Sequence, residues 1–209
     1  PAGLAALAVG WASTALPFYP AFWPGLLAAL AAGLTLVRPR LGLALALAVP
    51  VFPLGNISFG LAVLYGAAAI GWFAVSWGDA RWGLLFCSGM VLGPVGLLGL
   101  APLVALQARG LARRTLQAAA AVLFAGAVAA IRGLPVPFAG EAPPLAIAGS
   151  EHPITVLQAL WQWVLGVPAL GLEALILAVV AACIPLAVRR SDLTIAMFAG
   201  AVLTATLVA

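Results

Sequence analysis

The sequence predicts an all-α fold: a polytopic transmembrane helical bundle of about seven spans plus one re-entrant hairpin, each crossing taking about 20 apolar residues. Composition is the first observation. Hydrophobic residues make up 66% of the 209-residue chain and the mean hydropathy is +1.23. Charged residues are 7%, against about 25% in an average soluble domain. The second observation is arrangement: long apolar runs are separated by small clusters of arginine, and none of the nine basic residues is lysine. The third is period. The alternation of two that marks a barrel strand is absent, and Ala, Leu, Gly and Val suit helices that satisfy their own backbone hydrogen bonds.

The first run, Ala2–Leu16, ends at the Phe18-Tyr19-Pro20 turn, and the second, Ala21–Val37, ends at Arg38-Pro39-Arg40. Leu41–Leu54 is the shortest, about 21 Å if fully helical, and contains Pro50 and Pro53. Gly55-Asn56-Ile57-Ser58 separates it from Phe59–Trp77, which stops at Gly78–Arg81. Trp82–Leu106 carries Gly93, Pro94, Gly96, Gly99 and Pro102 in its second half. Thr115–Ile131, Pro168–Val188 and Leu193–Ala209 complete the set. Between them, residues 132–153 hold five prolines, Glu141 and Glu151, a composition for an irregular external loop. Ile154–Leu165 carries Trp161 and Trp163, which favour the headgroup level, so this segment is expected to lie flat before the next span.

Cytoplasmic loops are enriched in basic residues, so Arg38 and Arg40, then Arg109, Arg113 and Arg114, then Arg189 and Arg190 are expected to face the cytoplasm. Three apolar runs lie between Arg40 and Arg109, and an odd number of crossings would place one cluster on the wrong side. One run therefore fails to cross, either Leu41–Leu54 or Trp82–Leu106. The preferred one is Trp82–Leu106, because its Gly and Pro residues favour two half-helices meeting inside the membrane, while an extended Pro-Val-Phe-Pro tail completes the crossing of Leu41–Leu54. The amino end, Gly78–Arg81 and the arginine clusters are then cytoplasmic, and the Phe18 and Gly55–Ser58 turns external. The whole reads as a single transmembrane domain, residues 1–209, cut from a longer protein at both ends.

Candidate chemistry is sparse. Glu173 is the acidic residue lying well inside an apolar run, where an ionised carboxylate is costly and usually has a partner or a task. Were the helix from Thr155 to run on through Pro168, Gln158, Gln162 and Glu173 would share a face, being four and eleven residues apart. That stripe would be an intramembrane polar site; the competing reading has Glu173 snorkelling to the external headgroups. Glu151 and His152 are adjacent in the external loop, but one histidine, two intramembrane cysteines and scattered carboxylates offer neither zinc-ligand spacing nor a triad. They read as loop punctuation. No catalytic, cofactor-binding or metal-binding residue is assigned, and no cofactor is expected.

Gly89 and Gly93, and the series Ser58, Ala62, Gly66, place small residues every fourth position, which lets helices approach closely within one bundle. Arg109, Arg113 and Arg114 are suited either to anionic lipid headgroups or to orientation alone. Without lysine there is no Walker A loop and no kinase ATP lysine, so phosphoryl transfer is excluded for this stretch. The arginines fall between apolar runs and do not line an aromatic-studded basic face, which argues against nucleic acid.

The string Arg38-Pro39-Arg40-Leu41-Gly42 running into Pro50-Val51-Phe52-Pro53-Leu54-Gly55-Asn56, followed by Gly93-Pro94-Val95-Gly96-Leu97-Leu98-Gly99, resembles membrane regions found after serine/threonine kinase domains in some high-GC bacteria. The resemblance implies a cytoplasmic kinase domain ahead of Pro1 and a bacterial inner-membrane location; no kinase motif is present to carry over. The expected function is a non-catalytic anchor or sensor for a fused soluble domain, with the lipid bilayer as its partner. A small permease or flippase-like transporter is the alternative, and an enzyme acting on a lipid-linked substrate through Glu151 and His152 is a third.

Overall fold

The computed structural model describes residues 1–16, 18–93, 96–131, 133–135, 149–190, 197 and 200. Among these the chain is helical and contains no strand. The run Leu193–Ala209 and most of the loop over residues 132–153 lie outside the described residues, as do the side chains of Arg189 and Arg190. Contacts divide the chain into two compact units, one comprising Pro1–Leu84 with Leu145–Trp163, the other Leu85–Pro144 with Val164–Ala209.

The first unit opens with α1 (Ala2–Ala15) and α2 (Trp23–Val37), which pack along faces of small residues. Ala5, Ala8 and Ala12 on α1 and Leu27, Ala31 and Thr35 on α2 are buried at three- and four-residue spacing. The buried hydroxyls of Ser13 and Thr35 donate to Val9 O and Ala31 O, each at 2.6 Å, so neither is stranded in an apolar setting. Arg38 interrupts the helix with extended backbone, and α3 (Pro39–Ala48) begins on proline at its first position, where a missing N–H costs nothing.

Through Val49 and Pro50 the backbone stays in the right-handed helical region and continues as α4 (Val51–Ile57). The Pro-Val-Phe-Pro segment is thus helical and not extended as the sequence predicts. Pro53 falls in the first turn of α4, where its absent N–H has no intrahelical partner to lose. Pro39–Ile57 amounts to 19 helical residues, about 28 Å at the helical rise. Ser58 then caps α5 (Phe59–Val75), its hydroxyl oxygen accepting from Leu61 N at 3.2 Å. α3 packs on α1, α2 and α5, with Leu43, Leu47, Leu54 and Leu61 buried.

The second unit is built on α8 (Leu111–Ile131). In the Trp82–Leu106 run the structure has two five-residue helices, α6 (Ser88–Leu92) and α7 (Ala101–Ala105), flanked by 3₁₀ turns and separated by a turn in which Gly96 takes a φ of 70°. Each is about 7.5 Å long, and both pack on α8. α9 (Pro153–Gly166) is followed, after Val167, by α10 (Pro168–Arg190). Gly126 on α8 lies against Leu170 of α10, while Ala118 clusters with Ala181 and Ala105, so α8 and α10 run antiparallel. Phe86 meets Phe124 edge to face at 5.3 Å. Among the described residues three helical stretches are long and apolar enough to cross a membrane: Pro39–Ile57, Leu111–Ala130 and Pro168–Pro185. Ala2–Ala15, Trp23–Val37 and Phe59–Val75 are apolar but shorter.

Candidate functional site

Among the described residues two places gather polar chemistry. The first is an open cleft of about 680 Å³ at one end of the first unit, lined by Val37–Leu41 from the α2–α3 junction, and by Phe73 and Trp77–Arg81 from the end of α5 and the turn beyond it. Sequence forces this meeting locally. α5 ends at Ser76, and the turn folds back through hydrogen bonds from Asp79 N to Ser76 O, Trp82 N to Asp79 O and Gly83 N to Asp79 O. Trp72 Nε1 donates to Gly83 O at 2.8 Å, and a Cβ on Gly83 would stand 2.8 Å from both Leu43 Cδ2 and Ser76 Cβ. Glycine is required there for the turn to close on α3.

That closure sets the side chains. Arg40 Nε donates to Trp77 O at 3.1 Å and its guanidinium carbon sits 4.6 Å from the centre of the Trp77 ring, a cation–π geometry. Phe73 meets the same indole edge to face at 5.3 Å. Arg38, Arg40 and Arg81 are exposed at the mouth, with Asp79, which has an interaction of its own, as the acidic member. Within this unit Gly78–Arg81 lies at the same end as Arg38 and Arg40. The opposite end of α5 holds Ser58, whose hydroxyl donates to Ser150 O at 2.6 Å, while Gly60 N donates to Ser150 O at 3.2 Å and Gly149 N to Ile57 O at 3.0 Å. Glu151 and His152 therefore sit, exposed, at the other end of α5 from the arginines.

The second place is Glu173. It is half-buried on α10, one turn beyond Leu170, and its Oε1 is buried with no hydrogen-bond partner among the described residues. The polar stripe has no continuous helix to carry it, because α9 ends at Gly166 and α10 starts at Pro168. Gln158 and Gln162 are exposed, one turn apart on α9. Trp161 is exposed, as a residue at the headgroup level would be, but Trp163 is buried, so only one of the two indoles fits that placement. Gln117, buried on α8, is a polar residue that sequence reasoning passed over; the register of α8 against α10 places it near the level of Ala181, well away from Glu173.

In the second unit, Arg109 and Arg113 are exposed, and Arg114 Nε donates to Ala108 O at 2.8 Å. Arg113 and Arg114 stand in the first turn of α8, where the helix macrodipole disfavours cations. Helix energetics therefore do not explain them. The Gly89 and Gly93 pair packs inside the unit: a Cβ on Gly89 would meet the backbone of Ala121, and one on Gly93 the Cβ of Ala125 at 3.2 Å. Of the Ser58, Ala62, Gly66 series, Ser58 and Ala62 are buried, while Gly66 faces open space. Cys87 and Cys183 are free thiols. Among the described residues no group of three or more His, Cys, Asp or Glu side chains could hold a metal. No protein-family profile matches the chain, and neither a curated protein nor a solved structure shows a significant similarity to it.

Proposed function

We propose that this chain is a multi-pass membrane segment of about seven crossings that anchors, and senses for, a soluble domain on the arginine-bearing side, in a bacterial inner membrane. One observation supports it above the others: the outward faces of the apolar helices, long and short, are themselves apolar. Leu36, Ile70 and Leu175 are 77%, 73% and 62% exposed, on helices whose buried positions are mostly alanine, glycine and leucine. An apolar surface of that kind is stable against hydrocarbon and aggregates in water. The shortness of α6 and α7, both packed on α8, supports a non-crossing Trp82–Leu106, and a 19-residue helical Pro39–Ile57 supports a crossing there. The kinase-associated resemblance of Arg38–Asn56 favours a cytoplasmic partner domain for the anchor.

Ultracentrifugation in detergent-free buffer at alkaline pH tests the membrane reading. The chain is expected in the lipid pellet, and recovery in the supernatant would overturn it.

A permease or flippase-like role is the second reading, favoured by the unpartnered Oε1 of Glu173. Glu173→Gln is expected to change ion-coupled uptake into vesicles if this carboxylate carries a proton; unchanged flux removes it from any such pathway.

A further inference from the structure

We infer that the cleft between the α2–α3 junction and the turn after α5 binds a phosphate oxyanion, supplied by the headgroup of an anionic phospholipid; the choice of lipid as source rests on the membrane reading above. Arg38, Arg40 and Arg81 all line one open cleft of about 680 Å³. Asp79, the acidic residue in its wall, has an interaction of its own. Positive-inside orientation asks for arginines on this side of the bilayer. It does not ask for a walled cleft, or for one arginine to be held in place.

Arg40 is held. Its Nε donates to Trp77 O and its guanidinium carbon lies over the Trp77 ring, so the side-chain entropy usually lost on capturing an anion is already spent. That bond uses Nε, whereas bidentate recognition of phosphate can be made by the two Nη groups. Arg38 is at once the C-cap of α2 and the N-cap of α3, where the two dipoles oppose each other, but Arg40 lies in the first turn of α3, a position where the macrodipole opposes a cation and welcomes an anion. An oxyanion in the cleft relieves both the dipole and the mutual repulsion of the three guanidinium groups. The apolar rim selects the source. Val37 is 78% exposed, and Leu41 and Trp77 also stand open beside the arginines, which suits a phosphate continuous with acyl chains better than a free ion.

The test uses the full chain purified in mild detergent and transferred to nanodiscs of phosphatidylcholine doped with phosphatidylglycerol, with retained phosphatidylglycerol read by native mass spectrometry. Arg38→Gln and Arg81→Gln are each expected to weaken retention about fivefold at unchanged thermal unfolding. Arg109→Gln, which removes the same charge outside the cleft, is expected to weaken retention less than either cleft variant. Inorganic phosphate is titrated in parallel: if millimolar phosphate fails to displace the lipid, the headgroup is the source, and if it displaces the lipid, free phosphate is the source and the oxyanion site stands. Equal loss in Arg109→Gln, or none in the cleft variants, overturns the inference. A chain that stays dissolved without detergent overturns the membrane reading alone, because the phosphate titration then runs in plain buffer on the same variants.

Discussion

Gly89 has no side chain because the carbonyl of Ala121 on α8 occupies the place where its Cβ would stand. Gly89→Ala cannot be absorbed by rotamer change, since backbone must shift, so a loss of about 2–3 kcal/mol is expected, at the upper range of overpacking. Thermal unfolding in detergent reads it. Gly66→Ala is the contrast: nothing lies near its Cβ position, so removing a helix-interior glycine there is expected to stabilise by up to about 1 kcal/mol. Sequence spacing picked out both glycines as packing residues. It could not tell them apart, because period four names a helix face without saying whether a neighbour covers it. Tyr19 shows another limit of sequence. Its hydroxyl donates to Val49 O at 2.8 Å in the α1–α2 turn, and partial burial raises the phenol above its ordinary value of 10.0. The folded state thus keeps its proton where the unfolded chain loses it, and stability must fall as pH rises past about 10. Tyr19→Phe is expected to cost about 1 kcal/mol near neutrality and to flatten that alkaline decline, measured as melting temperature between pH 8 and 11.

At the scale of elements, the apolar runs marked out the helices well, since α1, α2, α5, α8 and α10 follow their predicted bounds within a few residues at most ends. Proline was the misleading signal. Pro50 and Pro53 read as the end of a short helix, but each sits at a junction or a first turn where the lost N–H is cheap, so α3 and α4 together reach 19 residues. In Trp82–Leu106 the described helices are short, with Gly96 at a φ of 70° between them and Pro102 in the first turn of α7. Pro168 acts in a third way, starting α10, so that no continuous helix carries Gln158, Gln162 and Glu173 together. The cleft was the least legible feature. Arg38 and Arg81 are 43 positions apart in the chain, and the closure that joins their turns depends on Gly83 tucking against Leu43, a tertiary contact with no local signature. These elements carry a topological prediction. With Cys87 and Cys183 replaced by serine, Asn56→Cys is expected to react with an impermeant thiol reagent applied to intact cells, and Gly78→Cys is expected to react only after permeabilisation. External labelling at position 78 would instead make Trp82–Leu106 the crossing run.

For the molecule as a whole, the proposed membrane orientation would rest on few charges, which makes it testable by moving them. The Ser58 turn and the Ser150–His152 segment form one end of the first unit, and Arg38, Arg40 and Arg81 the other. Each end is tied by its own hydrogen bonds, so α3–α4 and α5 invert together or not at all. Juxtamembrane arginine carries most of the directional bias, while acidic residues contribute little. Replacing Arg38, Arg40 and Arg81 by glutamine removes that bias from this unit and leaves Arg109, Arg113 and Arg114 to orient the chain. Adding arginine at Gly55 and Asn56 should then place the two halves of the sequence in conflict. The expected result is a mixed population, with position 78 becoming partly reachable from outside in the combined variant but not in the glutamine variant alone. A chain that keeps one orientation in both would show that the packing of the bundle, and not its arginines, decides which way it faces.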